Sequence, residues 1–355
     1  MFEGDVHQFL PIYKSINIDF TLCMGIPKIA PKFGELMKNL LDPAILFFVF
    51  GCFAGLIRSN LEIPRSIAKF LSLYLLMALG LKGGFALAKT GLNSEIALSM
   101  TIAIVMAFLV PTLGYLFLKN KIDKFDAAAV AASYGSVSAV TFVTAIQYME
   151  QSQLNPNGYM AIALVLMESP AIIMAVLLAN MLRHNSETSG TKRPSLKAIL
   201  HESFTDGAHL LLLGAMVVGY LSGEAGKTMM QPFSGDLFKG MLAFFLLDMG
   251  LMVAKNLKDA SKNSATLIAY AAISPLVHAA IALGLCILFG VTTADTILLM
   301  VLSASASYIV VPAVLRYAIP EANPSIYFGL SIGITFPLNI ILGIPTYIWV
   351  AQKFN

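Results

Sequence analysis

Two stretches of this chain place serine hydroxyls at every second residue inside otherwise apolar sequence. They are SYGSVSAVTFVTAIQY at 133–148 and LSASASYIVVPAVLRY at 302–317. Ser136 and Ser138 alternate with small residues, as do Ser303, Ser305 and Ser307. Neighbours on one helix face lie three or four residues apart, so alternation by two makes no hydroxyl stripe on a helix. It suits a short extended break whose hydroxyls converge on a cavity. Gly135 and Pro312 weaken helical continuity beside the serines. A helix broken within a bilayer exposes both its ends. The positive N-terminal end attracts an anion, and freed carbonyls attract a cation. Small residues and serines also simply let membrane helices pack closely. One such stretch alone favours packing, but two at matched positions favour a site.

The match is systematic. Asp126 and Asp295, Ser136 and Ser305, Ser138 and Ser307, and Tyr148 and Tyr317 are all 169 positions apart. Asn155-Pro156-x-x-Tyr159 meets Asn323-Pro324-x-x-Tyr327 at 168, and Ala78–Leu81 meets Asp248–Leu251 at 170. A nearly constant offset across several polar positions reads as an internal repeat.

Ionisable residues inside apolar runs are costly and usually functional. Glu168 precedes Ser169-Pro170 in one such run. The proline removes a backbone hydrogen bond and frees a carbonyl near the acid, a combination that suits Na⁺ or a proton. Glu168, with Thr141 and Ser303 as further oxygen donors, forms the expected coupling-ion set. Ser136, Ser138, Ser305 and Ser307 form the expected anion set. Asp248 and Lys82 occupy nearly related repeat positions. They either pair, or Lys82 snorkels and Asp248 makes a helix–helix hydrogen bond. His278 reads as a packing histidine.

The elements that must hold these groups follow from composition. The chain has 355 residues, 57% hydrophobic and 12% charged. A soluble domain carries about twice that charge. The pattern is that of an all-α integral membrane protein. A spanning helix needs about 20 apolar residues. Ten candidate spans occur at 42–57, 67–88, 95–118, 126–149, 157–182, 206–223, 234–254, 264–289, 294–317 and 324–351. GxxxG spacings at Gly51/Gly55, Gly80/Gly84, Gly219/Gly223 and Gly329/Gly333 permit close helix contacts. The expected organisation is an N-terminal extension at 1–41 and a first five-helix repeat at 42–182. A polar linker at 183–205 then leads to a second five-helix repeat at 206–355.

Loops on one side of these spans carry 13 Lys and Arg, and the other side carries 7. The positive-inside rule makes the richer side, including the linker, cytoplasmic and places both termini outside. Five spans per half is an odd number, so the halves are inverted relative to each other. The expected fold is ten transmembrane helices as two inverted five-helix repeats, with the fourth and ninth broken at the serines. The net charge of +3 is too small to suggest nucleic acid. Cys23, Cys52 and Cys286 are far apart and form no disulfide framework. No apolar h-region follows a basic start at Met1, so no cleavable signal peptide is expected. No GxxxxGK[ST], HExxH, CxxC or GxSxG stretch occurs, which removes the P-loop, zincin and nucleophile-elbow readings. The chain reads as a non-enzyme.

Five segments resemble the sodium-dependent bicarbonate transporter family. They are GLKGG (80–84), FLLDMGL (245–251), GSVSAVTFVTA (135–145), SASASYIVVPA (303–313) and PEANPSIYFGLSIGITFPLNIILGIP (320–345). The similarity spans roughly 40–351 and fits the broader branch of the family. Tyr308, Val310 and Val311 stand where the cyanobacterial members have an Asp and glycines, and Ala139 stands where they have a Gly. Glu168 takes the place of their Asp before Pro, so acidic character is kept. The resemblance implies a homotrimer and Na⁺-coupled bicarbonate uptake where the fourth and ninth helices cross. It implies a PII-like regulator on the cytoplasmic face and no bound cofactor, with Na⁺ as the coupling ion in the inner membrane. The alternatives are transport of another small anion or monocarboxylate, with H⁺ as coupling ion, and a membrane sensor or scaffold that binds an anion without moving it.

Overall fold

A computed structural model of the chain describes residues 42–91, 94–185, 207–260, 263–308 and 310–355. The expected extension at 1–41 and most of the linker at 183–205 lie outside the described residues. Every regular element among the described residues is a helix. In order they form α1 (Pro43–Leu56), α2 (Arg65–Thr90), α3 (Ser94–Leu118), α4 (Lys124–Gly135), α5 (Ala139–Gln151) and α6 (Met160–Asn185). Then come α7 (Gly207–Gln231), a π-helical turn at Pro232–Asp236, α8 (Leu237–Ala260), α9 (Ala265–Phe289), α10 (Thr293–Ala304) and α11 (Val310–Ala318). The last run is α12 (Pro324–Leu330), α13 (Phe336–Leu338) and α14 (Ile344–Phe354), joined by π turns at Ser331–Thr335 and Asn339–Gly343. Seven helical runs among the described residues are long and apolar enough to cross a membrane. The chain is an integral membrane protein. Leu46, Phe47, Val49, Phe50 and Phe53 turn outward from α1, as residues facing hydrocarbon chains do.

Local chemistry sets the helix ends. Asp42 caps α1 by accepting from the Ala44 and Ile45 N–H groups at 2.7 and 3.2 Å, ahead of Pro43. Asp123, Ser264, Thr292 and Asn323 do the same for α4, α9, α10 and α12. Gly223 bends α7 with φ +56°, a conformation that glycine adopts without strain. The sixth expected span ended at this residue, but the helix resumes beyond the bend and continues to Gln231.

Two pairs of helices meet backbone to backbone. α1 packs on α8, and α2 packs on α7. A Cβ on Gly51 would sit 2.3 Å from the Leu247 carbonyl oxygen, and one on Gly250 2.2 Å from that of Phe48. A Cβ on Gly84 would sit 2.1 Å from the Met216 carbonyl oxygen, and one on Gly219 2.6 Å from that of Leu81. No side chain fits at these four positions, so the Gly51/Gly55 and Gly80/Gly84 spacings and Gly219 are close-contact faces, whereas Gly223 meets nothing within 4 Å.

The other helices surround the two interrupted runs. α4 packs on α3 and α6, and α10 packs on α9, α3 and α5. From Ala127 to Val140 every residue but Ala139 is buried, and so is every residue from Asp295 to Tyr308. Helices buried on all sides form a core rather than a surface. Cross-links then join the halves. The Asp126 carboxylate, at the start of α4, accepts from the Asn323 N–H at 2.7 Å. Asp295, at the start of α10, accepts from Asn157 at 2.8 Å, from Ser99 at 3.0 Å, and from the Tyr159 hydroxyl.

Candidate functional site

The sequence interrupts its helices at the serines. α4 ends at Gly135 and α5 begins at Ala139, while α10 ends at Ala304 and α11 begins at Val310. Ser136, Ser138 and Ser305 are extended, with φ/ψ of −94°/−180°, −108°/111° and −84°/165°. Period-two alternation therefore reports extended backbone at Ser136, Ser138 and Ser305, while Ser303 still belongs to α10. Gly135 has a second use, because a Cβ there would come within 2.6 Å of the Pro111 ring on α3.

The two breaks lie against each other. The Ser307 N–H donates to the Ser133 carbonyl at 2.8 Å, and the Ser138 N–H donates to Ser305 Oγ at 2.9 Å. Ser305 Oγ in turn donates to the Leu302 carbonyl at 2.8 Å. Each break also caps the half-helix that follows it. Ser138 Oγ accepts from the Thr141 N–H at 3.2 Å and from Thr141 Oγ1 at 3.0 Å. Ser307 Oγ accepts from the Val311 N–H at 3.3 Å. Such caps satisfy N–H groups that a helix start leaves orphaned. Ser138 Oγ still has a proton to give, and it points to the Tyr308 hydroxyl at 3.4 Å.

This brings all four expected anion serines into one buried cluster, each at most 4% exposed. Thr141 joins them through Ser138. Their hydroxyls are not equivalent. Ser138, Ser305 and Ser307 are engaged, whereas Ser136 Oγ is buried without a hydrogen-bond partner. Ser133 Oγ and Ser303 Oγ, one turn before the breaks, are in the same condition. Buried polar groups are normally paired, so three unpaired hydroxyls at and just before the breaks stand out. The repeat sharpens this. Ser138 and Ser305 correspond to Ser307 and Ser136, so strict symmetry would send the Ser307 N–H to Ser136 Oγ. It goes to the Ser133 carbonyl instead, and Ser136 is left open.

The helix ends add electrostatics. The N-termini of α5 and α11 meet at the crossing, each carrying about half a positive charge. No Lys or Arg lies among the serines of either stretch. The arrangement therefore suits a small anion held by hydroxyls, N–H groups and dipoles.

Glu168 is buried on α6, which packs on α4 and α11, the flanking halves of the two breaks. Pro170 lies inside the same helix. Asp248 and Lys82 do not pair. Lys82 bonds Glu150 at 2.9 Å and lies 4.5 Å from the centre of the Phe238 ring. Asp248 is buried with Oδ2 unpartnered. Lys82 is displaced toward the end of α5, where an acid is within reach, so the near-symmetry of the two positions did not predict contact. His278 is buried with Nδ1 unpartnered and lies against the Ser303 main chain.

Several supporting groups were not legible in the sequence. Asn339, in a π turn, donates to the Ala304 carbonyl at 2.7 Å and accepts from the Tyr347 hydroxyl at 2.9 Å. It thereby satisfies the orphaned end of α10. Tyr134 and Thr335 hydroxyls are 2.6 Å apart and tie α4 to the other π turn. A lone Asn in an apolar span was the available signal for the first of these.

Residues 43–352 match the family model described as the Na⁺-dependent bicarbonate transporter superfamily. No curated protein matches the chain.

Proposed function

The chain belongs to the Na⁺-dependent bicarbonate transporter superfamily, a family of membrane transporters, and on that premise we propose that it imports bicarbonate with Na⁺ as the coupling ion. The observation that carries the reading is the crossing of two serine breaks with a buried, unpartnered Ser136 hydroxyl. Bicarbonate is small, planar and singly charged. Two helix N-termini and a few O–H and N–H donors offset about one negative charge. The Ser303 hydroxyl, Thr141 and Glu168 supply oxygen donors of the kind that Na⁺ takes. The acid balances a cation that travels with the anion. Another small anion, or a monocarboxylate with H⁺ as coupling ion, is the second reading, favoured by Tyr308 and Val311 beside the crossing.

The inverted arrangement of two five-helix repeats belongs to the same proposal. Its support is reciprocity: Asp126 of the first half holds Asn323 of the second, and Asp295 of the second holds Asn157 and Tyr159 of the first. The contacts are not atom-for-atom equivalent, since the repeat pairs Asn323 with Asn155, but 155–159 and 323–327 are matching segments, and matching segments that exchange contacts are what a two-fold axis produces. Homotrimer assembly, an inner-membrane location with both termini outside, and a PII-like cytoplasmic regulator complete the reading.

The test is labelled bicarbonate uptake by site variants. Ser138→Ala and Ser307→Ala each lose a hydrogen bond to a charged ligand worth roughly 1.5–3 kcal/mol, partly replaced by water, so affinity falls several-fold. Glu168→Gln changes the Na⁺ dependence more than the anion affinity. Normal uptake by both serine variants would reduce the serines to packing residues.

A further inference from the structure

A cavity of about 700 Å³ opens at the end of the molecule where α2, α5 and α7 finish and α8 starts. Its walls belong to different packing groups. Lys82, Lys89, Lys227 and Lys239 come from the α2–α7–α8 side. Glu150 comes from α5, the half-helix that Ser138 caps. The cavity therefore lies between the glycine-packed helices and the helices that carry the breaks. Beneath it the two groups touch backbone to backbone, where a Cβ on Gly83 would sit 2.7 Å from the Gly158 carbonyl oxygen. Twelve residues of α5 separate Glu150 from Ser138, a rise of about 18 Å.

The charges are unevenly paired. Lys227 bonds Glu224 at 3.2 Å, and Lys82 bonds Glu150 at 2.9 Å across the cleft. Among the described residues Lys89 and Lys239 make no ion pair, and Asp236 is the remaining acid. A concave, net-positive surface focuses its field and raises the local anion concentration. Lys82 sits deepest in this group, about a quarter exposed, with Phe238 against its ammonium. Its bound partner is a carboxylate, which presents the same planar pair of oxygens as bicarbonate.

We propose that this cavity is an anion vestibule and that Lys82 is its docking group, with the Glu150 carboxylate occupying the place an incoming small planar oxyanion takes. The ligand displaces Glu150, which unfastens the ion pair that straps α2 to α5, and passes along α5 to the breaks. This deepens the transport reading and rests on it, because the vestibule serves the crossing of the two breaks.

A cysteine at Gln231, an exposed residue of the cavity wall, reports on the vestibule directly. Cys23, Cys52 and Cys286 are replaced first, and the purified protein is labelled in detergent, so that neither orientation nor transport enters. Gln231→Cys reacts several-fold faster with an anionic than with a cationic thiosulfonate reagent, relative to a free thiol. Lys239→Gln reduces that preference. Sodium bicarbonate, compared with sodium chloride, slows labelling by the anionic reagent. Lys82→Gln abolishes this protection and Lys82→Arg keeps it. Absence of bicarbonate protection in the parent overturns the proposal, as does protection that survives Lys82→Gln. Protection also persists in Ser138→Ala, which has an intact vestibule. Protection without uptake in proteoliposomes would leave the vestibule standing and sink the transport reading. Uptake without protection would do the reverse.

Discussion

At the scale of residues, the serines divide by what their hydroxyls already do. Ser138 Oγ caps α5 and also receives Thr141 Oγ1, so it contributes to folding whether or not an anion binds. Ser136 Oγ contributes nothing of the kind, being buried and unpartnered. Removing a cap costs about 1 kcal/mol, whereas removing an unsatisfied buried hydroxyl is neutral or stabilising. Thermal unfolding in detergent should therefore show Ser138→Ala below the parent and Ser136→Ala at or above it, with uptake reduced in both. An equal drop in both would mean that Ser136 is structural. Period-two spacing made these hydroxyls visible in the sequence, because it conflicts with helical geometry in an otherwise helical chain. Their unequal use was not visible. It depends on whether the Ser307 N–H reaches Ser136 or the Ser133 carbonyl, a choice made by tertiary contact. Lys82 shows the same limit, since its partner Glu150 is distant in sequence and bears no repeat relation to it.

At the scale of elements, each interrupted helix is held from outside. Asn339 closes the end of α10 from a π turn, and Tyr134 and Thr335 tie α4 to another. π turns are common at functional sites because they redirect side chains locally. The acids at the two helix starts are unequal. Asp295 is fully buried and receives three side-chain donors, while Asp126 is half-buried and receives one N–H. Leaving a buried donor unpaired costs about 1–3 kcal/mol. Asp295→Ala should then destabilise the protein by several kcal/mol, and Asp126→Ala by about 1 kcal/mol. Equal shifts in thermal midpoint for the two variants would contradict this. The sequence disclosed both acids through their constant offset. It concealed their unequal burial, and it showed neither the π turns nor the bend at Gly223, because apolar composition is the same in straight and kinked spans.

At the scale of the whole molecule, the chain offers two glycine-sealed helix pairs and a buried centre built on the breaks. Gly51 meets Gly250 and Gly84 meets Gly219, so halves that are distant in sequence are interleaved rather than side by side. In the proposed topology the side richer in Lys and Arg, which includes the 183–205 linker, is cytoplasmic. A cysteine at Ser189, in a background without the native cysteines, should resist an impermeant thiol reagent added to intact cells, and ready labelling would reverse the orientation. In the proposed mechanism a Na⁺ gradient drives bicarbonate through the crossing. Proteoliposomes carrying the pure protein should accumulate labelled bicarbonate when Na⁺ is higher outside. They should not do so when K⁺ replaces Na⁺ or when Ser136 and Ser138 are both alanine. Accumulation that is indifferent to Na⁺, or unchanged in the double variant, would contradict the account.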